Sequence, residues 1–383
     1  MPFPRFSGSF VAILLIFAFC FALAIATSGQ AGRTPGQNDS RQPSSEPSQP
    51  ATPNLRRPDR GEESREQTDD VVTIETDLTN VLFTAVDKNK RFITTIRKED
   101  IRVLEDGVPQ EIFAFQRETD RPLSLAILVD VSASQQVTLE DEKEAAKRFV
   151  NVVIHNPKDE VAVVSFSGEA TVEQELTNSL SRVQKALGQI EIVLPPGYVA
   201  GGIVVNDPSR STTDSYDPRL GTTAIWDAIW VVSEELFANV QSNKRRGIIL
   251  VTDGIDTTSR VKNEEAVKRA IAADIAIYAV GIGDNENFEG IEKNTLRKLA
   301  ERSGGRAYFP KNTTDLQAAF SQIEQELRSQ YLVAYSPSNR SRDGSLRKVE
   351  IELLNPELRK QKLQLNYRRG YFAKVAPAIK PQR

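Results

Sequence analysis

Leu123-Ser124-Leu125-Ala126-Ile127-Leu128-Val129-Asp130-Val131-Ser132-Ala133-Ser134 is the stretch that decides the fold. Its first seven residues are almost uniformly apolar. A strand with one face in water would alternate; this one does not, so both its faces must be covered, as in a parallel sheet layered with helices. The run then stops on a carboxylate, and two hydroxyls follow at alternate positions.

Three further apolar runs have the same character: Val161-Ala162-Val163-Val164-Ser165-Phe166, Gly247-Ile248-Ile249-Leu250-Val251 and Ile275-Ala276-Ile277-Tyr278-Ala279-Val280. Between and after them, helical spacing of apolar residues appears over 139–154, 183–190, 224–240, 264–273, 296–302 and 316–327. Buried strands alternating with helices predict an α/β unit over 121–329 with a doubly wound, mostly parallel, Rossmann-like sheet.

On both sides the period returns to two. Before the unit, Val71-Val72-Thr73-Ile74-Glu75-Thr76, residues 81–86, Ile101-Arg102-Val103-Leu104 and residues 110–116 read as strands. Asp87-Lys88-Asn89-Lys90 and Glu105-Asp106-Gly107 are their turns. After Ser329, strands are expected at 331–335, 349–353 and 363–367, with a turn at Asp343-Gly344. Each β-segment is too small to stand alone. The expectation is that 71–120 and 330–373 pair into one small β-sandwich-like domain, with the α/β unit inserted in it.

The ends are of another kind. Arg5 precedes an uncharged apolar run over 10–26 that closes on Ala24-Ile25-Ala26, so residues 1–28 read as a signal peptide or, if uncleaved, a membrane anchor. Either predicts an exported chain, periplasmic or secreted, meeting the membrane only through that segment and only if it stays uncleaved. Residues 29–70, rich in Ser, Pro, Gln and Arg, read as a disordered linker, and 374–383 as a disordered tail.

Composition narrows the chemistry. The 383 residues carry 49 basic and 52 acidic side chains, a net charge of −3, which gives no electrostatic footprint for nucleic acid. One His and one Cys leave too few ligands for a zinc ribbon or a His-rich site. A metal here must be held by oxygen, which selects hard cations: Mg²⁺, with Mn²⁺ and Ca²⁺ as alternatives.

Ligands of open α/β sheets bind beyond the carboxyl ends of the strands. Three hydroxyl- and carboxylate-bearing pieces fall there: Asp130-x-Ser132-x-Ser134, Gly221-Thr222-Thr223-Ala224 and Thr252-Asp253-Gly254. Alone, each has a bland reading: Ser132 and Ser134 could cap the next helix, and Asp253-Gly254 could be a turn. Together, in this order, they resemble the metal-ion-dependent adhesion site of von Willebrand factor A domains, over about 121–328. The resemblance implies that Ser132 and Ser134 bind a divalent cation directly, Thr223 directly or through water, and Asp130 and Asp253 largely through water. It also implies an open coordination position for the Asp or Glu of a protein or peptide ligand, and no catalysis. Thr222 and Gly254 are further candidates for contact with that ligand.

A narrower resemblance, to exported A-domain proteins common in Acidobacteria, rests on Lys98-Glu99-Asp100-Ile101-Arg102-Val103-Leu104-Glu105-Asp106-Gly107, Tyr331-Leu332-Val333-Ala334-Tyr335 and Arg368-Arg369-Gly370-Tyr371-Phe372-Ala373. Two positions depart from the adhesion motif. Ala133 and Thr222 stand where glycines are usual, the second leaving the choice between Thr222 and Thr223 to the spacing, which favours Thr223. The long insert over 194–220 lies just before that Thr and is the candidate specificity loop.

Two rival functions stand beside metal-dependent adhesion: an envelope scaffold binding a sibling subunit constitutively, and a serine hydrolase using Ser132 or Ser134. The hydrolase lacks a histidine near either serine, and His155 reads as a helix-end cap. Lys244-Arg245-Arg246 reads as a solvated loop before a strand.

Overall fold

The computed structural model describes residues 78–117, 121–194, 199–200, 203–204, 221–241, 243–283 and 292–375. The expected signal segment, the linker, the strand at 71–76, most of the 194–220 insert and the end of the tail lie outside the described residues.

The chain enters through β1 (Thr79–Val86), β2 (Ile101–Glu105), β3 (Val108–Gln110) and β4 (Ile112–Arg117). Asp106 and Gly107, both at positive φ, form the two-residue turn between β2 and β3. The single return strand expected over 110–116 is instead two. β3 pairs with β2, and after Glu111 the chain crosses to the opposite sheet, where β4 pairs with a strand from beyond residue 330. Alternation alone gives no sign of a strand changing partners.

The α/β unit follows: β5 (Leu123–Asp130), α1 (Leu139–Val153), β6 (Glu160–Phe166), β7 (Ala170–Thr177), α2 (Leu180–Gln189), the two-residue strands β8 (Val199–Ala200) and β9 (Ile203–Val204), α3 (Ile225–Val231), β10 (Arg245–Thr252), α4 (Asn263–Ala272), β11 (Ile275–Gly281), α5 (Lys293–Ser303), β12 (Ala307–Tyr308) and α6 (Thr313–Arg328). The sheet order is β12-β11-β10-β5-β6-β7, parallel throughout except for the edge strand β7. All eight residues of β5 are buried, as its unbroken apolar run requires. One face packs on α1, α2 and α6 through Leu125, Ile127, Phe149 and Phe320; the other packs on α3, α4 and α5 through Ala126, Leu128, Ile229 and Leu299. From β5 the chain winds to β6 and β7 on one side, and only later to β10, β11 and β12 on the other. The carboxyl ends of β5 and β10 therefore flank the switch point of the sheet.

The helix expected over 224–240 is shorter. α3 ends at Val231 and passes into a π-turn over Val232–Leu236. The break coincides with adjacent β-branched valines and with Ser233, whose hydroxyl donates back to the Ile229 carbonyl at 2.7 Å. The basic stretch before β10 also departs from expectation. Arg245 is 5% exposed and begins the strand, its guanidinium donating to the carbonyls of Arg121 and Leu327, while Lys244 pairs with Glu160. A triplet of cations looks solvated in sequence because its acceptors, mostly backbone carbonyls, carry no sequence signature.

The chain closes with β13 (Tyr331–Tyr335), β14 (Leu346–Leu353), the short α7 (Pro356–Lys360), β15 (Gln364–Tyr367) and β16 (Gly370–Phe372). Two four-stranded sheets result, β15-β1-β13-β4 and β16-β14-β2-β3, each drawing strands from both sides of the α/β unit. Phe83 and Tyr331 stack at 5.0 Å in their shared core with Val103, Val349 and Ile351.

Glu326, 1% exposed near the end of α6, ties this region to the α/β unit. Its carboxylate accepts from Thr84 on β1 (3.3 Å), Asn366 on β15 (2.7 Å), Arg306 (3.0 Å) and Tyr308 (3.3 Å).

Candidate metal centre

Asp130 ends β5 and is completely buried. Its Oδ1 accepts the Ser132 backbone N–H at 3.0 Å, which folds the chain back at once so that Ser132 follows at the sheet's rim. Its Oδ2 accepts the Thr252 hydroxyl at 2.6 Å from the end of β10. The Ser132 and Ser134 hydroxyls lie 3.0 Å apart, Ser132 buried and Ser134 exposed. Ala133, where the adhesion motif has glycine, sits in a short 3-10 turn without positive φ, so a Cβ is tolerated there.

Asp253 follows Thr252 directly and is 5% exposed, its Oδ1 accepting the Ile255 N–H at 2.9 Å. Gly254 adopts φ +86, and a Cβ on it would meet Leu296 Cγ at 2.8 Å. Its observed role is to let the chain turn under Asp253. Four of the five expected ligands thus share one rim.

Thr223 is reached differently. It is bound not to the other four but to the loop that follows Asp253. Its N–H donates to the Thr257 hydroxyl at 2.9 Å, and its carbonyl accepts the N–H groups of Thr257 and Thr258. Ile225 N–H on Asp256 and Trp226 N–H on Ser259 extend that seam into α3. The Thr222 hydroxyl is 2.9 Å from that of Thr258. The Thr223 hydroxyl has no hydrogen-bond partner among the described residues.

The electrostatics are one-sided. Burial pushes the Asp130 carboxyl up to about 6, against its hydrogen bonds from Ser132 and Thr252, with the Asp253 charge adding to the rise. Burial also raises Asp253, partly offset by the Ile255 N–H and the nearby Ser134 and Gln135 side chains. Behind them lies a group that motif reading passes over. Glu142 on α1 is 1% exposed, neither carboxylate oxygen has a hydrogen-bond partner, and burial with the charges of Asp130 and Asp253 pushes it up to about 8. The Thr138 hydroxyl, hydrogen-bonded to Gln135, offsets this only in part. The sequence carried a signal: Glu142 shares the buried face of α1 with Leu139, Ala146 and Phe149.

No Lys or Arg forms an ion pair with Asp130, Glu142 or Asp253 among the described residues. Nor do these residues include a cluster of three His, Cys, Asp or Glu arranged to ligate a metal. What they offer is a mixed set of carboxylates and hydroxyls with a deficit of positive charge. That set fits a hard divalent cation.

Two sequence profiles of the von Willebrand factor type A domain match, over residues 125–255 and 211–322. The chain carries a von Willebrand factor type A domain. Among solved structures, it is similar to a von Willebrand factor type A protein from Catenulispora acidiphila, at 14% identity over 79% of this chain and 75% of that one, TM-score 0.42. It is also similar to proximal thread matrix protein 1 of the mussel byssus with a zinc-occupied MIDAS motif, at 19% identity over 56% and 50% of the two chains, TM-score 0.41. An aerotolerance-related membrane protein from Bacteroides fragilis matches at 20% identity over 54% and 98%, TM-score 0.38. A curated relative, an uncharacterised protein of Borreliella burgdorferi, is 21% identical over 252 residues, spanning 63% of this chain and 65% of its own length. The match therefore falls just short of two thirds of that relative.

In the type A domain, Asp130, Ser132, Ser134 and Asp253 lie at the switch point between β5 and β10. The histidine that a Ser-His hydrolase would need lies at the sheet's other end. The His155 N–H rests on Asp159, whose other oxygen accepts the N–H of Leu123, the first residue of β5. The length of that strand, roughly 25 Å at about 3.3 Å per residue, separates the two.

Among the described residues, no helix is long and apolar enough to cross a membrane.

Proposed function

We propose that the chain is an exported, non-enzymatic binding protein that holds a divalent cation, Mg²⁺ foremost, and uses it to capture an acidic side chain of a protein or peptide partner. The observation that carries this reading is the charge deficit of the switch point: Asp130, Glu142 and Asp253 are buried together without a basic partner among the described residues. Ser132, Ser134 and Thr223 would supply neutral oxygens to the ion, with Asp130 and Asp253 balancing its charge. With so few anions around it, this set of residues would leave a bound cation able to attract an outside carboxylate. The protein's part is to hold these oxygens in place, Asp130 through Thr252 and Ser132, and Asp253 through Ile255. The exported address rests on the apolar run of residues 1–28. The β-segments 71–120 and 330–373 would then present the type A domain, with residues 194–220 shaping specificity beside Thr223.

Calorimetric titration of the full chain with MgCl₂ and MnCl₂, then retention of partners from the native envelope fraction with and without EDTA, tests this. Saturable binding of one cation, lost in Asp130→Ala, with a partner released by EDTA and absent for Asp130→Ala, is the expected result. A partner retained equally with EDTA would overturn the reading.

A further inference from the structure

We infer that the partner captured at the metal centre also anchors an apolar side chain in a cavity beside it. This partner chemistry, an acidic residue with a large aliphatic or aromatic neighbour, rests on the metal-dependent reading and narrows it. The cavity holds about 230 Å³ and lies between the first turns of α1 and α6, beyond the carboxyl end of β11. Its walls include Thr138, Asp141, Ile282, Pro310, Thr313 and Leu316. Separate small-molecule ligands usually occupy about 300–1,000 Å³, so this volume suits one side chain of a larger partner.

The cavity shares the rim of the metal centre. Thr138 closely follows Ser134, and its hydroxyl donates to Gln135 Oε1 at 3.1 Å. On another wall, the Ile282 N–H donates to the carbonyl of Thr252 at 3.0 Å, and Thr252 is the residue that holds Asp130. A partner whose carboxylate reaches the ion has its next residues within reach of this opening.

The polar groups around the opening are committed. The Thr313 hydroxyl donates to Asp141 Oδ2 at 2.7 Å, tying α6 to α1. Asn312 Oδ1 accepts the Asp315 N–H at 2.8 Å, and its Nδ2 donates to the Asp315 carboxylate at 3.3 Å. Lys311 has a partner as well. What remains is apolar: Ile282 and Leu316, both members of the core, and half-buried Pro310. Such a wall gains dispersion contacts and sheds water when an aliphatic or aromatic side chain enters. The surroundings agree. Val137, next to Thr138, is 91% exposed, and Ile255, just after Asp253 and Gly254, is exposed too, so aliphatic side chains stand in water on both flanks of the site. Anchors seated in a pocket carry most of the binding energy of an interface.

Random peptides displayed on phage are selected on the full chain in MgCl₂ and eluted with EDTA. We expect the eluted pool to carry Asp or Glu together with Leu, Ile, Met or Phe at a fixed spacing. In calorimetry, replacing that apolar residue by Ala in one selected peptide should weaken binding to the parent at least tenfold, the order expected for one buried side chain. Thr313→Trp, which fills the cavity from an exposed position, should weaken the unaltered peptide at least tenfold, and the Ala peptide should then lose little more. Thr313→Ala removes the same bond to Asp141 but leaves the cavity open, and should bind the peptide as the parent does. Mg²⁺ affinity should stay within twofold in both variants. If no peptide elutes with EDTA, the metal-dependent reading falls and the anchor with it. If acidic peptides elute without the apolar residue, or if Thr313→Trp binds them as the parent does, the anchor alone falls.

Discussion

The Thr252 hydroxyl donates a 2.6 Å hydrogen bond to Asp130 Oδ2, joining the last residue of β10 to the last residue of β5. Both residues are fully buried, so no water can replace the donor if it is removed. Thr252→Val keeps the shape and leaves a carboxylate oxygen unsatisfied. We expect a loss of about 1–3 kcal/mol in urea unfolding at pH 7 with EDTA. Since this bond also holds the Asp130 carboxyl down, Mg²⁺ binding should weaken more at pH 6 than at pH 8. An unchanged urea midpoint would mean the bond contributes nothing.

Thr222 and Thr223 are adjacent, and the structure separates them. The Thr222 hydroxyl is engaged with Thr258, whereas that of Thr223 has no hydrogen-bond partner among the described residues. Thr222→Val should cost at most about 1 kcal/mol and leave cation affinity within twofold. Thr223→Val should weaken the cation at least tenfold with little change in stability. The reverse ranking, read by calorimetry, would transfer the ligand role to Thr222.

A residue's place is legible in sequence only where everything that fixes it lies close by in the chain. The unbroken apolar run of β5 announces burial on both faces, and its end on Asp130 announces the site, because strand, loop and carboxylate are contiguous in the chain. Thr252 stood beside Asp253 in the motif, but its bond to Asp130 spans 122 residues and has no local signature. The same limit hid the crossing from β3 to β4 and the burial of Arg245, whose guanidinium acceptors include main-chain carbonyls. Glu142 was legible in principle, as a charge on the apolar face of α1, yet a charge near a helix's first turn also reads as an ordinary dipole partner.

Glu142 should make the metal-free protein sensitive to alkali. Its carboxyl titrates at about 8 in the fold and near the ordinary 4.5 when unfolded. A raised carboxyl favours the protonated fold. Its contribution is therefore complete below about pH 4.5 and is lost as pH rises through 8. With EDTA present, the parent should lose on the order of a few kcal/mol across that window, while Glu142→Gln, which carries no proton to lose, should lose much less. Denaturant midpoints at pH 5 and pH 8.5 for both proteins decide it, and parallel curves would remove Glu142 from the account.

Four groups from β1, the β12 region and β15 meet on the single carboxylate of Glu326. Truncation leaves the Arg306 guanidinium without its counter-charge and Thr84 without its acceptor, while Asn366 keeps the Gly305 carbonyl at 3.1 Å. Glu326→Ala should therefore cost about 3–5 kcal/mol, the range for breaking a buried pair. Glu326→Gln retains one acceptor oxygen and most of the shape, so its cost should be clearly smaller. Arg306 is partly exposed at 27%, so solvent could screen the pair. Repeating the urea series in 1 M NaCl separates the contributions, since salt weakens an exposed ion pair but leaves buried neutral hydrogen bonds in place. A cost for Glu326→Ala that vanishes in salt would reduce the hub to surface electrostatics. A cost that persists would make α6 and the strands of the sandwich one cooperative unit, so that any displacement of α6 must either carry β1 and β15 with it or break these bonds.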